Sequence, residues 1–196
     1  MRRKATRRLD QIGINWREQH LLEGLLRECR LERGSLLDVP CGYGRFAPLF
    51  ARLGIRTFGI DLDPEMVRLA AGSRLGDDKE RGACASAFQL PFADNSFDGV
   101  ICIRLLHLRY SEAERLAILR ELARVSRRCV IISVYHFTLL HGAARLLNST
   151  PGRVKLMTRE QLSELVRESG LERQSMRSLL PYFHMQTFVV LTKNSG

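Results

Sequence analysis

The chain has 196 residues, 45% of them hydrophobic, which suits one domain with its own core and argues against wholesale disorder. No apolar run approaches the roughly 20 residues that a membrane-spanning helix needs, and the opening MRRKATRRLD leads into no apolar signal core, so export is not expected. With 31 Lys and Arg against 21 Asp and Glu, the net charge of +10 favours phosphates, anionic headgroups or acidic small molecules as partners, without setting the fold.

In chain order, Leu21, Leu22, Leu25 and Leu26 recur at helical spacing between about Trp16 and Cys29. Residues 1–33 are read as a basic segment and helix belonging to the same domain as residues 34–196. The cluster Arg2, Arg3, Lys4, Arg7 and Arg8 reads as a solvated, frayed end, a nucleic-acid arm or a foot on a membrane surface. SLLDV is a first buried strand. RFAPLFARLG is helix-like despite Pro48, with Gly54 as its stop, and RTFGI is a second strand. Asp63-Pro64 opens a helix, Asp as N-cap and Pro at the first helical position.

A weak strand near Ala83 to Ala87 precedes the strongly apolar GVICI. Ser111 and Glu114 form a capping-box pattern, and Leu116, Leu119, Leu122 and Ala123 give the helix behind it a buried face. RCVIISVY is the fifth strand. Thr158 and Gln161 repeat the capping signature, and Leu162, Leu165 and Val166 carry that helix to Gly170. LERQSMRSLL and MQTFVVLT close the chain as an antiparallel hairpin. Strands alternating with helices predict an α/β fold, a mostly parallel sheet layered by helices on both faces. The five cysteines, Cys29, Cys41, Cys84, Cys102 and Cys129, are scattered singly, which predicts reduced thiols in a cytosolic protein.

The chemistry concentrates in LLDVPCGYGRFAPLFARLGIRTFGIDLDP. Gly42 and Gly44 let backbone approach a ligand closely after the first strand. Asp61, at the end of the second strand, suits both hydroxyl hydrogens of a ribose. Two cofactors fit. Gly42-x-Gly44-x-x-Ala47, with Asp61 17 residues beyond Gly44, satisfies a dinucleotide fingerprint and keeps an NAD-dependent oxidoreductase open. Asp38, just ahead of the turn, repels a pyrophosphate and suits a ligand carrying an ammonium and a sulfonium, which favours S-adenosylmethionine.

These residues carry a resemblance. LLDVPCGYGRF resembles the first motif of the class I SAM-dependent methyltransferases, GIDLDPEMVRLA the second, and ASAFQLPFADNSFDGVICIRLLHL the segment that ends in the fourth strand. The likeness runs from about Leu36 to Lys193 and is nearest the ubiquinone/menaquinone-type small-molecule group. It implies a Rossmann-like three-layer sandwich, a seven-stranded mostly parallel sheet with an antiparallel last strand. It also implies a cofactor site. Gly42 and Gly44, with Pro40 and Cys41, pass beneath the methionine moiety. Asp38 holds its amino group, Asp61 the ribose, Leu62 and Met66 pack near the adenine, Ala87 offers its N–H, Phe88 lies alongside, and Ile103 completes the wall. Two positions depart from the pattern. Pro40 replaces the first glycine, and Ser86 stands where an Asp often accepts the adenine amino hydrogens.

Methyl transfer from a sulfonium depends chiefly on alignment, so a base is needed only if the nucleophile keeps its proton. IRLLHL stands where amino-methylating nucleic-acid enzymes carry Asn/Asp-Pro-Pro-aromatic, and Pro40-Cys41 follows the first strand rather than the fourth, so Cys41 reads as packing. The substrate side is expected to include His107, Tyr135, His136, Tyr182 and His184. His107 is the candidate base, with positioning as the other reading, and no spacing supports a metal. The insertion HFTLLHGAARLLNSTPGRVKLM either covers the substrate, with Arg145, Arg153 or Lys155 on an anionic group, or adds a core helix. The expectation is a cytoplasmic methyltransferase for a small apolar, aromatic or lipid-like acceptor, touching an anionic membrane surface through its basic end. An rRNA or tRNA methyltransferase, or a degenerate fold acting as a binding subunit, are the alternatives.

Overall fold

The computed structural model describes residues 2–73, 82–108, 110–136, 156–179 and 186–193. Its elements in chain order are α1 (Arg2–Glu28), β1 (Ser35–Asp38), α2 (Ala47–Arg52), β2 (Arg56–Asp61), α3 (Pro64–Ser73), β3 (Gly82–Cys84), β4 (Phe97–Cys102), α4 (Glu112–Val125), β5 (Ser126–Tyr135), α5 (Arg159–Glu168), β6 (Leu171–Ser178) and β7 (Gln186–Lys193). The seven strands form one sheet in the order β3-β2-β1-β4-β5-β7-β6. β1 to β5 run parallel, and β7 is antiparallel to both β5 and β6. The fold is the Rossmann-like sandwich expected, with β7 alone reversed.

Side-chain alternation along each inner strand feeds two cores. Leu37, Val100, Cys102, Val130, Ile132, Val134, Val189 and Leu191 face the side covered by α4 and α5. Leu36, Ile101, Cys129, Ile131, Phe188 and Val190 face the side covered by α1 and α2. Both helix-start signatures form as read. Ser111 and Glu114 cap α4 reciprocally, as do Thr158 and Gln161 for α5. Asp63 accepts the Glu65 N–H at 2.9 Å at the start of α3.

Three boundaries differ. α1 begins at Arg2, not near Trp16, so its backbone is helical through the basic cluster; Arg and Lys are good helix formers and nothing there breaks the turn. β3 is only three residues long and leaves Ala87 in the loop beyond it, where Ser86 and Gln89 form an isolated bridge. β5 starts at Ser126, directly after α4. The insertion, residues 137–155, lies outside the described residues, as do Tyr182 and His184.

Candidate functional site

The parallel register brings the carboxyl ends of β1, β2 and β4 together, with Asp38 beside Gly59 and Ile101. Ligands of open α/β sheets bind at such ends. The chain then turns through Val39-Pro40, a cis peptide, and through Gly42 and Gly44, whose φ values of +50 and +79 are cheap only for glycine. The Gly42 N–H donates to Asp61 Oδ2 at 2.9 Å, and the Asp63 N–H donates to Oδ1 at 3.0 Å. These two bonds tie the turn to the end of β2 and fix the Asp61 carboxylate. Each oxygen keeps a lone pair for another donor. Asp38 is buried at the end of β1. Burial, and then the nearby Asp38 charge, push the Cys102 thiol far above its usual value, so this cysteine is inert packing.

Between these ends lies a crevice of about 280 Å³ lined by Pro40, Asp61, Leu62, Ala85 to Phe88, Arg104, Leu105 and Tyr110. Ser86 Oγ accepts the Phe88 N–H at 3.2 Å, which leaves the hydroxyl hydrogen as its donor. Among the described residues the Ala87 N–H has no partner. Phe88 stands edge-on to Tyr110, centroids 5.6 Å apart. Arg124 of α4 holds the preceding loop through the Phe92 and Leu90 carbonyls and Asp94. Of the residues expected at the cofactor, Asp38, Cys41, Gly42, Gly44, Met66 and Ile103 are not in the lining: Asp38 and Cys41 are buried, Gly42 and Gly44 belong to the turn, Met66 sits half-buried on α3, and Ile103 belongs to the core beneath α1 and α2. A larger groove of about 510 Å³ between α4 and α5 carries Glu112, Glu160, Glu164 and Glu168 but none of the expected site residues. The expected residues that line a crevice all fall in the smaller one.

On the substrate side, the loop after β4 is clamped by Arg115, whose guanidinium donates to the Leu106 and Leu108 carbonyls at 2.8 and 3.0 Å. His107 packs on Tyr135, ring centroids 4.4 Å apart, and its buried Nδ1 has no partner among the described residues. Burial first, then the charges of Arg104 and Arg115, lower the His107 pKa, so the ring is neutral at neutral pH. Burial raises the Tyr135 pKa and keeps its phenol protonated. His136 does not join this pair. Its Nδ1 lies 2.7 Å from the Met157 carbonyl, which makes Nδ1 the donor.

Sequence reasoning missed a charged cluster beside the pair. Glu18 of α1 is fully buried and accepts from Arg45, from Arg104 at 2.9 Å and from the Gln186 amide at 2.7 Å. These partners lie 27, 86 and 168 residues from Glu18 in sequence, so no local pattern announces them. The nearest signal is that Glu18 lies one helical turn before Leu21 and Leu22, on the Leu face of α1.

With this geometry in view, residues 37–132 match the family described as a methyltransferase domain. The chain is 33% identical over 123 residues to the 23S rRNA (uracil(1939)-C(5))-methyltransferase RlmD of Acidithiobacillus ferrooxidans, covering 61% of this chain and 28% of the relative. It is 28% identical over 158 residues to the 27-O-demethylrifamycin SV methyltransferase of Amycolatopsis mediterranei, covering 75% and 57%. The chain thus spans less than two thirds of the length of these curated relatives. Among solved structures, magnesium protoporphyrin IX methyltransferase (ChlM) from Synechocystis PCC 6803 with bound SAH superposes with a TM-score of 0.76 at 18% identity, covering 92% of this chain and 84% of that one. The chain shares that protein's fold.

Proposed function

We propose that this chain transfers the methyl group of S-adenosylmethionine to a small apolar, aromatic or lipid-like organic molecule. The observation that carries the reading is the pair of carboxylates, Asp38 and Asp61, at the ends of adjacent parallel strands on either side of the glycine turn. A pyrophosphate would meet Asp38 where it needs positive charge; a sulfonium and an ammonium meet attraction there. The residues fit the cofactor. Asp61 keeps lone pairs for the ribose hydroxyls, the Ala87 N–H is open to the adenine, and the crevice approaches the ~300 Å³ at which small-molecule pockets begin. S-adenosylmethionine, when bound, supplies a methyl group already activated on a positively charged sulfur.

This chain's own residues then orient and exclude. The Gly42–Asp61 bond holds the turn in place before the ligand arrives, so little ordering remains to be done on binding. His107, neutral and with an unpartnered buried nitrogen, takes a proton from a hydroxyl or amine nucleophile or accepts its hydrogen bond. Tyr135, held as a phenol, packs against that ring. The apolar residues Leu105, Leu108 and Phe88 around the crevice mouth support an apolar acceptor, as does the motif string's likeness to ubiquinone/menaquinone-type enzymes. No described helix is long and apolar enough to cross a membrane. Contact with an anionic membrane surface runs through the basic start of α1, which places Arg2, Arg3, Lys4, Arg7 and Arg8 on one helix. Flotation with phosphatidylserine vesicles tests that contact, and absence of binding removes it.

Titration calorimetry with S-adenosylhomocysteine and with NADH tests the cofactor. Saturable heat from the first and none from the second is expected. The converse, or silence from both, overturns the reading. Methyl transfer to bulk RNA but to no small aromatic acceptor would remove the acceptor class while leaving the cofactor in place.

A further inference from the structure

The Glu18 cluster holds more positive charge than its carboxylate needs. Arg45 and Arg104 both donate to Glu18 Oε2, while the Gln186 amide occupies Oε1. Arg45 is also fixed by Asn15 Oδ1 at 3.0 Å and lies over the Phe46 ring, 4.4 Å from its centroid. One guanidinium neutralises one buried carboxylate; the second leaves a net charge of about +1. That surplus has a direction. The Arg45 side chain is largely covered, whereas that of Arg104 is 43% exposed and lines the crevice that also holds Asp61 and Ala87.

The backbone agrees. Arg104 has φ +64, a conformation non-glycine residues rarely keep unless the surroundings enforce it, and one that clusters at ligand sites. Ser133 Oγ enforces it by accepting the Arg104 N–H at 2.8 Å. Among the described residues, the bond to Glu18 is the only hydrogen bond of that guanidinium, and its other N–H groups remain for the crevice. A free guanidinium beside a sulfonium is repulsive unless an anion sits between them.

We propose that Arg104, braced by Glu18 and Arg45, is a carboxylate-binding site at the end of the crevice. The carboxylate comes from the amino-acid end of the cofactor or from an acidic group on the methyl acceptor. The planar fork of a guanidinium matches a carboxylate in two bonds, and Asp61 in the same crevice opposes a multiply charged phosphate. This inference rests on the reading of the crevice as a S-adenosylmethionine site.

The test uses the full chain, the Arg104→Gln variant and two matched pairs of probes in calorimetry. S-adenosylhomocysteine is compared with 5′-methylthioadenosine, which lacks the amino-acid end; 1-naphthoate is compared with 1-naphthamide in the presence of S-adenosylhomocysteine. Arg104→Gln is expected to weaken one acid by about tenfold or more while leaving its neutral counterpart within about threefold, and the pair that responds identifies the source. Glu18→Gln keeps the shape, removes the competing carboxylate and is expected to tighten that same acid about threefold or more. A merely structural cluster predicts instead that both substitutions weaken every probe alike. That result, or an Arg104→Gln variant in which neither acid moves, overturns the inference alone. If the unaltered chain binds neither adenosine probe, the cofactor reading falls and takes this site with it.

Discussion

Replacing Asp61 by Asn changes one atom's identity and one unit of charge at the point where the turn, the second strand and the ribose site meet. In the structure Oδ2 accepts the Gly42 N–H and Oδ1 accepts the Asp63 N–H. A carboxylate meets both backbone donors and still has lone pairs for two ribose hydroxyls. An asparagine offers one oxygen, already claimed by a backbone N–H, and turns an NH₂ toward the other donor. One charge-assisted bond to the ribose is lost and the other drops to neutral strength. With bonds to charged acceptors contributing about 1.5–3 kcal/mol and neutral ones about 1, the loss is about 2–5 kcal/mol, or about 30- to 4,000-fold in Kd. Calorimetry with S-adenosylhomocysteine measures it directly, and thermal unfolding of the free protein is expected to move by only a few degrees, because Asp61 is partly solvated. An Asp61→Asn variant that binds within about threefold of the original would falsify the assignment of this carboxylate to the ribose.

Two further predictions concern the frame around the site. A methyl group at Gly99 lands 2.7 Å from Leu31 Cδ1, and Leu31 is fully buried, so Gly99→Ala is expected to destabilise by about 1–3 kcal/mol in chemical denaturation. The penalty should vanish in a Leu31→Ala background, and an unchanged penalty there would show that the contact is not its cause. Asp98 accepts from the Ser35 N–H and hydroxyl, each at 2.9 Å; the backbone bond, then the hydroxyl and the charges of Arg128 and Arg127, hold its pKa below the usual carboxylate range. Its stabilisation is therefore present above the unfolded-state pKa of about 4 and is lost as pH falls through the lower folded value. Asp98→Asn is expected to be less stable by about 2 kcal/mol at neutral pH, with the gap closing toward pH 3. A gap that stays constant with pH would show that ionisation of Asp98 does not contribute.

The features legible in the chain were those fixed by neighbours in sequence. Ser111 with Glu114 and Thr158 with Gln161 announce their helices because each capping box closes within four residues. SLLD, GVIC and CVIISV read as strands because both faces of a sandwiched parallel sheet are apolar. The Gly42–Asp61 bond was foreshadowed by the two motifs that meet there. What stayed hidden was decided by tertiary approach. Arg104 looks like one more surface charge until α1 brings Glu18 across the end of the sheet. His136 was expected on the substrate side, but just beyond the end of β5 its Nδ1 meets the Met157 carbonyl. Ile103 was expected on the cofactor wall, yet the alternation that puts Ile101 beneath α1 and α2 takes Ile103 there as well.

The insertion of β7 between β5 and β6 governs how the molecule is made. Leu171–Ser178 emerges from the ribosome before the strand it must pair with, so its edge waits without a partner until Gln186–Lys193 follows. Consolidation of the sheet is thereby deferred until Gln186–Lys193 has been made. A nascent chain stalled before residue 186 would hold a five-stranded parallel half with β5 bare along one side, the kind of edge that chaperones shield and that aggregation exploits.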